Sequence, residues 1–313
     1  AESILEAAER KIFALGKDRK TGGLEPVATV VQRVYDGISE AANSDSSTPG
    51  ISTGIRELDS TILGMGPGDF ILVASRPGMG KTSFALNIAT NVAKKQRVPV
   101  AIFSLEMPRE QIAMRLLCGD ARVDMQHVRS GTLRDKEWIK LAQTVNPLSN
   151  EKVYIDDTAG LTPMQMRSRV RRIMLEKGLD LVIIDYLQLM GADGKSENRQ
   201  QEVSEISRRL KAIALELKIP ILACAQLSRA NTQRTVKRPM LSDLRDSGAI
   251  EQDADVVMFL HREAYYDQTS EETNTAEVII AKQRNGPLGT VKLNWLSEFT
   301  LFEDMYTDDA VET

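Results

Sequence analysis

Apolar positions recur along the chain with two periods, and their alternation sets the expected architecture. Phe70–Ser75, Pro99–Ser104, Lys152–Ile155, Asp180–Ile184 and Pro220–Ala225 are short, mostly apolar runs, as in strands buried on both faces of a parallel sheet. Segments of helical period lie between them. One is Thr82–Lys95, another starts at Pro108, and a third, Thr162–Lys177, has Pro163 in its first turn and Thr162 and Gln165 at capping-box spacing. The longest, Glu202–Leu217, repeats Val203, Ile206, Leu210, Ile213 and Leu217 every three or four positions. This order predicts an α/β fold with a mostly parallel central sheet and helices on both faces. Near the end the character changes. Asp255–Leu260, Ala276–Ala281 and Leu288–Asn294 read as strands, the last two joined through Asn285-Gly286-Pro287 as a C-terminal β-hairpin.

The beginning is different again. Ile4, Leu5, Ala8, Ile12 and Phe13 form a helical stripe on a charged segment, Thr21-Gly22-Gly23 stops it, and Val27–Ala42 reads as a second helix. Residues 43–50 are a Ser/Pro/Gly-rich linker. The expected division is a linker-helix region over 1–50, the main domain over 51–304 and a C-terminal tail over 305–313. An amphipathic helix ahead of a linker has nothing obvious in its own chain to bury against. It either docks on a neighbouring subunit or frays.

Composition narrows the class. At about 150 residues per domain the length suggests two domains, although one large α/β domain is allowed. With 42% hydrophobic and 27% charged residues, disordered and fibrous classes are excluded. No apolar run reaches the ~18 residues of a membrane span, and the N-terminus is too charged for a signal peptide. Cys118 and Cys224 lie far apart in apolar surroundings, which excludes a disulfide scaffold and points to a reducing cytoplasm. His127 and His261 are the only histidines, too few for a Cys/His zinc site. A net charge of −4 argues against a nucleic-acid coat but leaves room for a local basic groove.

Ser75, Arg76, Pro77, Gly78, Met79, Gly80, Lys81 and Thr82 lie between a strand and a helix, the setting a P-loop requires. Small residues let main-chain N–H groups wrap phosphates, and the helix N-terminus adds a favourable dipole. Lys81 is then expected at the β- and γ-phosphates of ATP and Thr82 on Mg²⁺. Ser75 departs from the pattern, which has glycine there. Asp185 closes the strand 181–184 at the mouth of the same crevice, where a carboxylate holds Mg²⁺. Two further strand ends point to this edge. Glu106 follows the strand ending at Ser104 and fits a general base for water, or alternatively a first-turn glutamate of the helix at Pro108. Gln226 follows Ala225 and either couples γ-phosphate to a downstream loop or merely satisfies the strand end.

The blocks SRPGMGKT, AIFSLEM, LVIIDYLQLM, NRQQEVSEISRRLKAIA, AQLSR, RPMLSDLRDSGAIEQDAD and IIAKQRNGPLGT together resemble the C-terminal ATPase domain of the DnaB-type replicative helicases, within the RecA-like P-loop class. The resemblance covers nearly everything from Ile51 to Asn294, and SILEAAERKIFAL resembles that family's linker helix. It implies a C-terminal piece of a longer protein. It also implies a homo-hexameric ring around single-stranded DNA, driven by ATP and Mg²⁺ at sites shared between subunits, in bacterial or phage replication. Helicase loader, primase and clamp loader are the implied partners.

Carried over by position, Lys81, Thr82 and Asp185 bind nucleotide and metal, Glu106 is the catalytic base and Gln226 senses the γ-phosphate. Lys282 and Arg284 match the basic pair that enters the neighbour's site. Arg229, Arg245, Asp246 and Gly248 fall in the region of the DNA-contacting loops. Arginines and exposed main-chain N–H groups suit phosphates without base preference. The absence of aromatics between Gln226 and Val257 argues against base stacking there. The basic stretches Arg167–Arg172 and Arg208–Lys211 read as solvated faces or subunit contacts. A RecA-like recombinase and a non-hydrolysing, ATP-gated DNA clamp are the competing readings, and the RPMLSDLRDSGAIEQDAD block favours the helicase over the first.

Overall fold

The computed structural model describes residues 24–42, 48–193, 198–228, 237–266 and 272–305, with the backbone alone at 40–42 and 245–249. The chain divides into two units, Ala1–Ser47 and Thr48–Thr313. In the first, helix α1 (Val27–Ala42) follows Pro26, whose carbonyl accepts from Thr29 and Val30 N–H. Val27, Val31, Val34 and Ile38 make one exposed apolar stripe along it. The stripe of residues 4–13 lies outside the described residues.

The second unit contains α2 (Arg56–Ile62), β1 (Phe70–Ser75), α3 (Lys81–Gln96), β2 (Val100–Ser104), α4 (Arg109–Ala121), α5 (Met125–Ser130) and α6 (Asp135–Ser149). After them come β3 (Val153–Asp156), α7 (Pro163–Lys177), β4 (Leu181–Asp185), α8 (Arg199–Leu217), β5 (Ile221–Gln226), α9 (Gly248–Asp253), β6 (Val256–His261), β7 (Thr275–Gln283), β8 (Gly289–Leu296) and β9 (Leu301–Asp304). The nine strands form one sheet in the order β3-β2-β4-β5-β1-β6-β7-β8-β9. Pairing is parallel from β3 to β6 and antiparallel from β6 to β9.

Successive side chains of a strand point to opposite faces, and the core divides accordingly. Ile71, Val73, Ile102, Ile183 and Leu222 pack with Phe84, Ile88 and Val92 of α3. Phe70, Leu72, Phe103, Val182 and Ile184 pack with Val170 of α7 and Val203, Ile206 and Leu210 of α8. Helices therefore cover both faces. The capping box of α7 forms, with Thr162 Oγ1 accepting from Gln165 N–H and Gln165 Oε1 accepting from Thr162 N–H.

Three features depart from the sequence pattern. The hairpin is extended by β9, so the antiparallel flank has more strands than expected. Residues 241–253, read as loop, are helical: a 3₁₀ turn over Leu241–Ser247 runs into α9. Lys211, read as part of a solvated or subunit-contact face, turns inward. Its ammonium donates to Asp255 at 2.6 Å and to the Gly68 carbonyl at 2.9 Å.

Candidate active site

Strand register brings the crevice together. Ser75, the last residue of β1, is paired with Gln226 at the end of β5, and Ser104 of β2 with Asp185 of β4. Adjacent parallel strands thus deliver their carboxyl ends to one edge, where ligands of open α/β sheets bind. Ser75 stands where the P-loop pattern has glycine, but it is a strand residue whose backbone needs no left-handed φ. Its hydroxyl donates to the Arg76 carbonyl. Glycine is needed further on. Gly78 and Gly80 have φ of +81° and +96°. A Cβ on Gly78 would sit 2.8 Å from the Tyr265 ring, and one on Gly80 2.8 Å from the Phe302 ring. The loop is therefore fixed from below by β9 and from the side by the segment after β6.

Lys81 and Thr82 open α3, where unpaired main-chain N–H groups and the helix dipole favour an anion. The Lys81 ammonium lies 4.5 Å from the centre of the Tyr186 ring. Thr82 Oγ1 donates to Asp185 Oδ2 at 2.6 Å. The other oxygen, Asp185 Oδ1, is buried without a hydrogen-bond partner. A buried carboxylate oxygen left unpaired beside a hydroxyl is a hard, oxygen-only donor pair, and it fits a divalent cation that takes its remaining ligands from phosphate and water.

Glu106 is exposed one residue beyond Leu105, whose N–H donates to the Asp185 carbonyl at 2.7 Å. The start of α4 is pinned from outside, because Asp157 accepts from Arg109 N–H at 3.1 Å and Arg109 Nε at 2.9 Å. The Arg109 guanidinium holds the Asp157 carboxyl down at about 2. Sequence reading passed over Arg115. Half-buried on α4, it has its affinity for the proton lowered by burial and raised again by the charges of Asp185 and Glu106, and its guanidinium lies 3.4 Å from Ser83 Oγ on α3. Its spacing from Glu106 gives no such signal, because only the packing of α4 on α3 turns it inward. Burial pushes the thiols of Cys118 and Cys224 up.

The flank is built on other bonds. The Lys282 ammonium donates to the carbonyls of Glu251, Gln252 (3.2 Å) and Ala254 (2.7 Å) at the end of α9. Arg284 donates to the Gln252 carbonyl at 2.9 Å and lies 3.4 Å from Asp255. Burial, then Arg284, lowers the Lys282 pKa. Asp255 also accepts from Phe70 N–H at 2.8 Å and from Lys211, so one carboxylate joins α8, β1 and the flank. Among the described residues, Lys282 and Arg284 bond to α9 and Asp255 and not to their own P-loop. Of the DNA-contact candidates, Arg229 lies outside the described residues. The backbone places Arg245 and Asp246 in the 3₁₀ turn and Gly248 at the start of α9.

A cavity of about 640 Å³ runs along α3 from Ser83 between α4 and β9, with walls tied by Lys94–Asp120, Arg122–Glu303 and Arg56–Asp304. Among the described residues no helix is long and apolar enough to cross a membrane, and no cluster of three His, Cys, Asp or Glu is placed to hold a metal.

Residues 50–304 match the family model of the DnaB-like helicase C terminal domain. The chain is 48% identical over 312 residues to the replicative DNA helicase DnaC of Bacillus subtilis, covering 99% of this chain and 69% of that protein. It is also 48% identical over 303 residues to the replicative DNA helicase DnaB of Geobacillus stearothermophilus, covering 96% and 67%. Among solved structures, an ATPase domain superposes with a TM-score of 0.86 at 38% identity, over 91% of this chain and all of that one. A DnaB-like replicative helicase, solved in a study of its interactions with primase, gives 0.83 at 36% identity, over 96% and 72%.

Proposed function

The chain belongs to the DnaB-like helicase C-terminal domain family, and from that premise we propose how its residues drive a hexameric, ATP-dependent replicative DNA helicase. The fold is RecA-like and the domain binds nucleotide. The observation that carries the residue assignment is the convergence of four strand ends on Lys81 and Thr82, with Thr82 bonded to Asp185.

The P-loop of Ser75 to Thr82 holds the phosphates of ATP through main-chain N–H groups, with Lys81 leaving the Tyr186 ring for the β- and γ-oxygens. Thr82 and Asp185 would hold Mg²⁺. When bound, the cation neutralises charge on the phosphate oxygens. Glu106 accepts the proton of the attacking water, and Arg115 keeps positive charge beside Glu106 and Asp185. Gln226 contacts the γ-phosphate and passes its presence along the chain toward Arg245. Lys282 and Arg284, matching the family's basic pair, leave the α9 carbonyls to serve the crevice of the next subunit. Charge developing on the transferred phosphoryl is then met by two subunits, which makes turnover depend on assembly.

Arg229, Arg245, Asp246 and the main chain at Gly248 contact the phosphates of single-stranded DNA in the ring. The apolar stripe of α1, exposed among the described residues, docks on a neighbouring subunit. Primase and a helicase loader are proposed partners, and the bacterial or phage cytoplasm the proposed compartment.

The test is ATP hydrolysis over a range of protein concentrations, with and without single-stranded DNA. A steep, cooperative dependence on protein together with stimulation by DNA is expected. Turnover strictly proportional to protein and indifferent to DNA would contradict shared sites.

A further inference from the structure

Gln188 follows the crevice strand β4 in a 3₁₀ turn, Leu187–Leu189. Its side chain bonds to the main chain of Gln226 twice. The amide nitrogen donates to the Gln226 carbonyl at 3.0 Å, and the amide oxygen accepts from the Gln226 N–H at 3.2 Å. Strands β4 and β5 pair only as far as Ile184 and Ala223. The Gln188 carboxamide therefore supplies, as a side chain, the pairing that β4 no longer gives at the end of β5. Only an amide side chain presents a donor and an acceptor in one plane, as a neighbouring peptide does, and asparagine is a methylene shorter.

The clamp is itself held on the nucleotide side. Arg199 donates to the Gln188 carbonyl, and Tyr186, two residues earlier, lies against the Lys81 ammonium. Beyond the clamp, Leu227 N–H donates to the Ser75 carbonyl at 3.0 Å, and Arg76 donates to the Leu227 carbonyl at 3.1 Å. Ser228 N–H then reaches the Asp243 carbonyl at 3.4 Å, inside the turn that carries Arg245. A cavity of about 350 Å³, lined by Arg76, Tyr186, Gln188 and Gln226, leaves space beside the clamp.

We infer that Gln188 is a positioning residue: it fixes the main chain at Gln226, so that a change at the phosphates moves the strand end and the turn leading to Arg245 together. It touches neither substrate nor DNA in this role. The inference rests on the reading of Gln226 as the γ-phosphate sensor.

The test compares ATP turnover of the wild-type chain with Gln188→Leu, Gln188→Glu and Gln226→Ala, with and without oligothymidylate, at several ATP concentrations. Gln188→Leu removes both bonds at nearly constant size. It is expected to lower the ratio of DNA-stimulated to basal turnover about five- to tenfold, with KM for ATP within about twofold of wild type. Gln188→Glu keeps only the acceptor and should fall between. An unchanged ratio in Gln188→Leu overturns the inference. So does an equal fall of basal and stimulated rates with a lowered melting temperature, the mark of a purely structural role. Should Gln188→Leu not fold, an unchanged ratio in Gln188→Glu overturns it equally. Gln226→Ala separates the two readings. If it keeps DNA stimulation, the sensor reading fails; if it loses stimulation while Gln188→Leu retains it, only the clamp fails.

Discussion

The parallel edge of the sheet and its antiparallel flank use similar polar side chains in opposite ways. At the ends of β1, β2, β4 and β5 the side chains converge: Thr82 bonds Asp185, Lys81 lies on Tyr186, and the half-buried Arg115 guanidinium lies 3.4 Å from Ser83 Oγ, next to Thr82 in sequence. On β7 and just beyond it, Lys282 and Arg284 turn to the last carbonyls of α9 and to Asp255. Parallel strands with aligned carboxyl ends must place their following residues in one crevice. An antiparallel pair carries its turn away from that crevice, where its charges are held by α9 and Asp255. In the proposed assembly the first region forms half of a catalytic site, and the second completes it only on a different copy.

The largest effect should come from breaking the flank. Arg284→Ala is expected to lower ATP turnover about 10³–10⁵-fold. Mixing it with Lys81→Ala subunits should restore part of the rate, since intact crevices then meet intact arginines. Absence of rescue at every mixing ratio would place Arg284 outside the neighbour's site. Breaking the parallel edge comes next. Glu106→Gln should keep nucleotide affinity, read by a fluorescent ATP analogue, and lose about 10²–10⁴-fold in turnover. Normal hydrolysis by this variant would show that Glu106 is not the base.

Lys211→Met tests the joint between the two regions. It leaves Asp255 with Arg284 but without its ammonium, and should destabilise the fold by about 2 kcal/mol in denaturant unfolding. Because Lys211 is 18% and Asp255 10% exposed, a change below a few tenths would mean that water screens the pair. Ser75→Gly restores the common P-loop residue at a position that needs no glycine. A loss of about 0.5–1 kcal/mol in stability is expected, with nucleotide affinity unchanged.

The smallest effect concerns the anchor of α4. Because the Asp157 carboxyl is depressed from 3.8 to about 2, its contribution is complete above pH 3.8 and lost as pH falls through about 2. Asp157→Asn should therefore speed hydrogen exchange at the first turn of α4 at neutral pH, and the difference from wild type should shrink as pH falls toward about 2 and vanish only below it.

Much of the parallel half was legible because its signals are local. Each apolar run became a strand within one or two residues, and Val27–Ala42 and the capping box at Thr162 follow from neighbours in sequence. The miss at 241–253 has a tertiary cause: buried Leu244 and Ile250 packed with the residues of α8 hold the segment helical. Strand β9 is only four residues long, and it becomes a strand by pairing with β8. Arg115 and Gln188 carried no spacing signal, since their partners lie on elements distant in sequence.

Periodicity and P-loop spacing by themselves determined that this chain forms a mostly parallel, doubly covered sheet with a phosphate loop after β1. Those properties depend on residues within a few positions of one another, where side-chain direction is fixed by the backbone period. The order β3-β2-β4-β5-β1 was decided only in three dimensions, and with it which carboxylate meets Thr82 and which amide meets Gln226. The turn of Lys211 and of Arg284 toward the single carboxylate of Asp255 was settled there as well, because the three residues lie on elements distant in sequence.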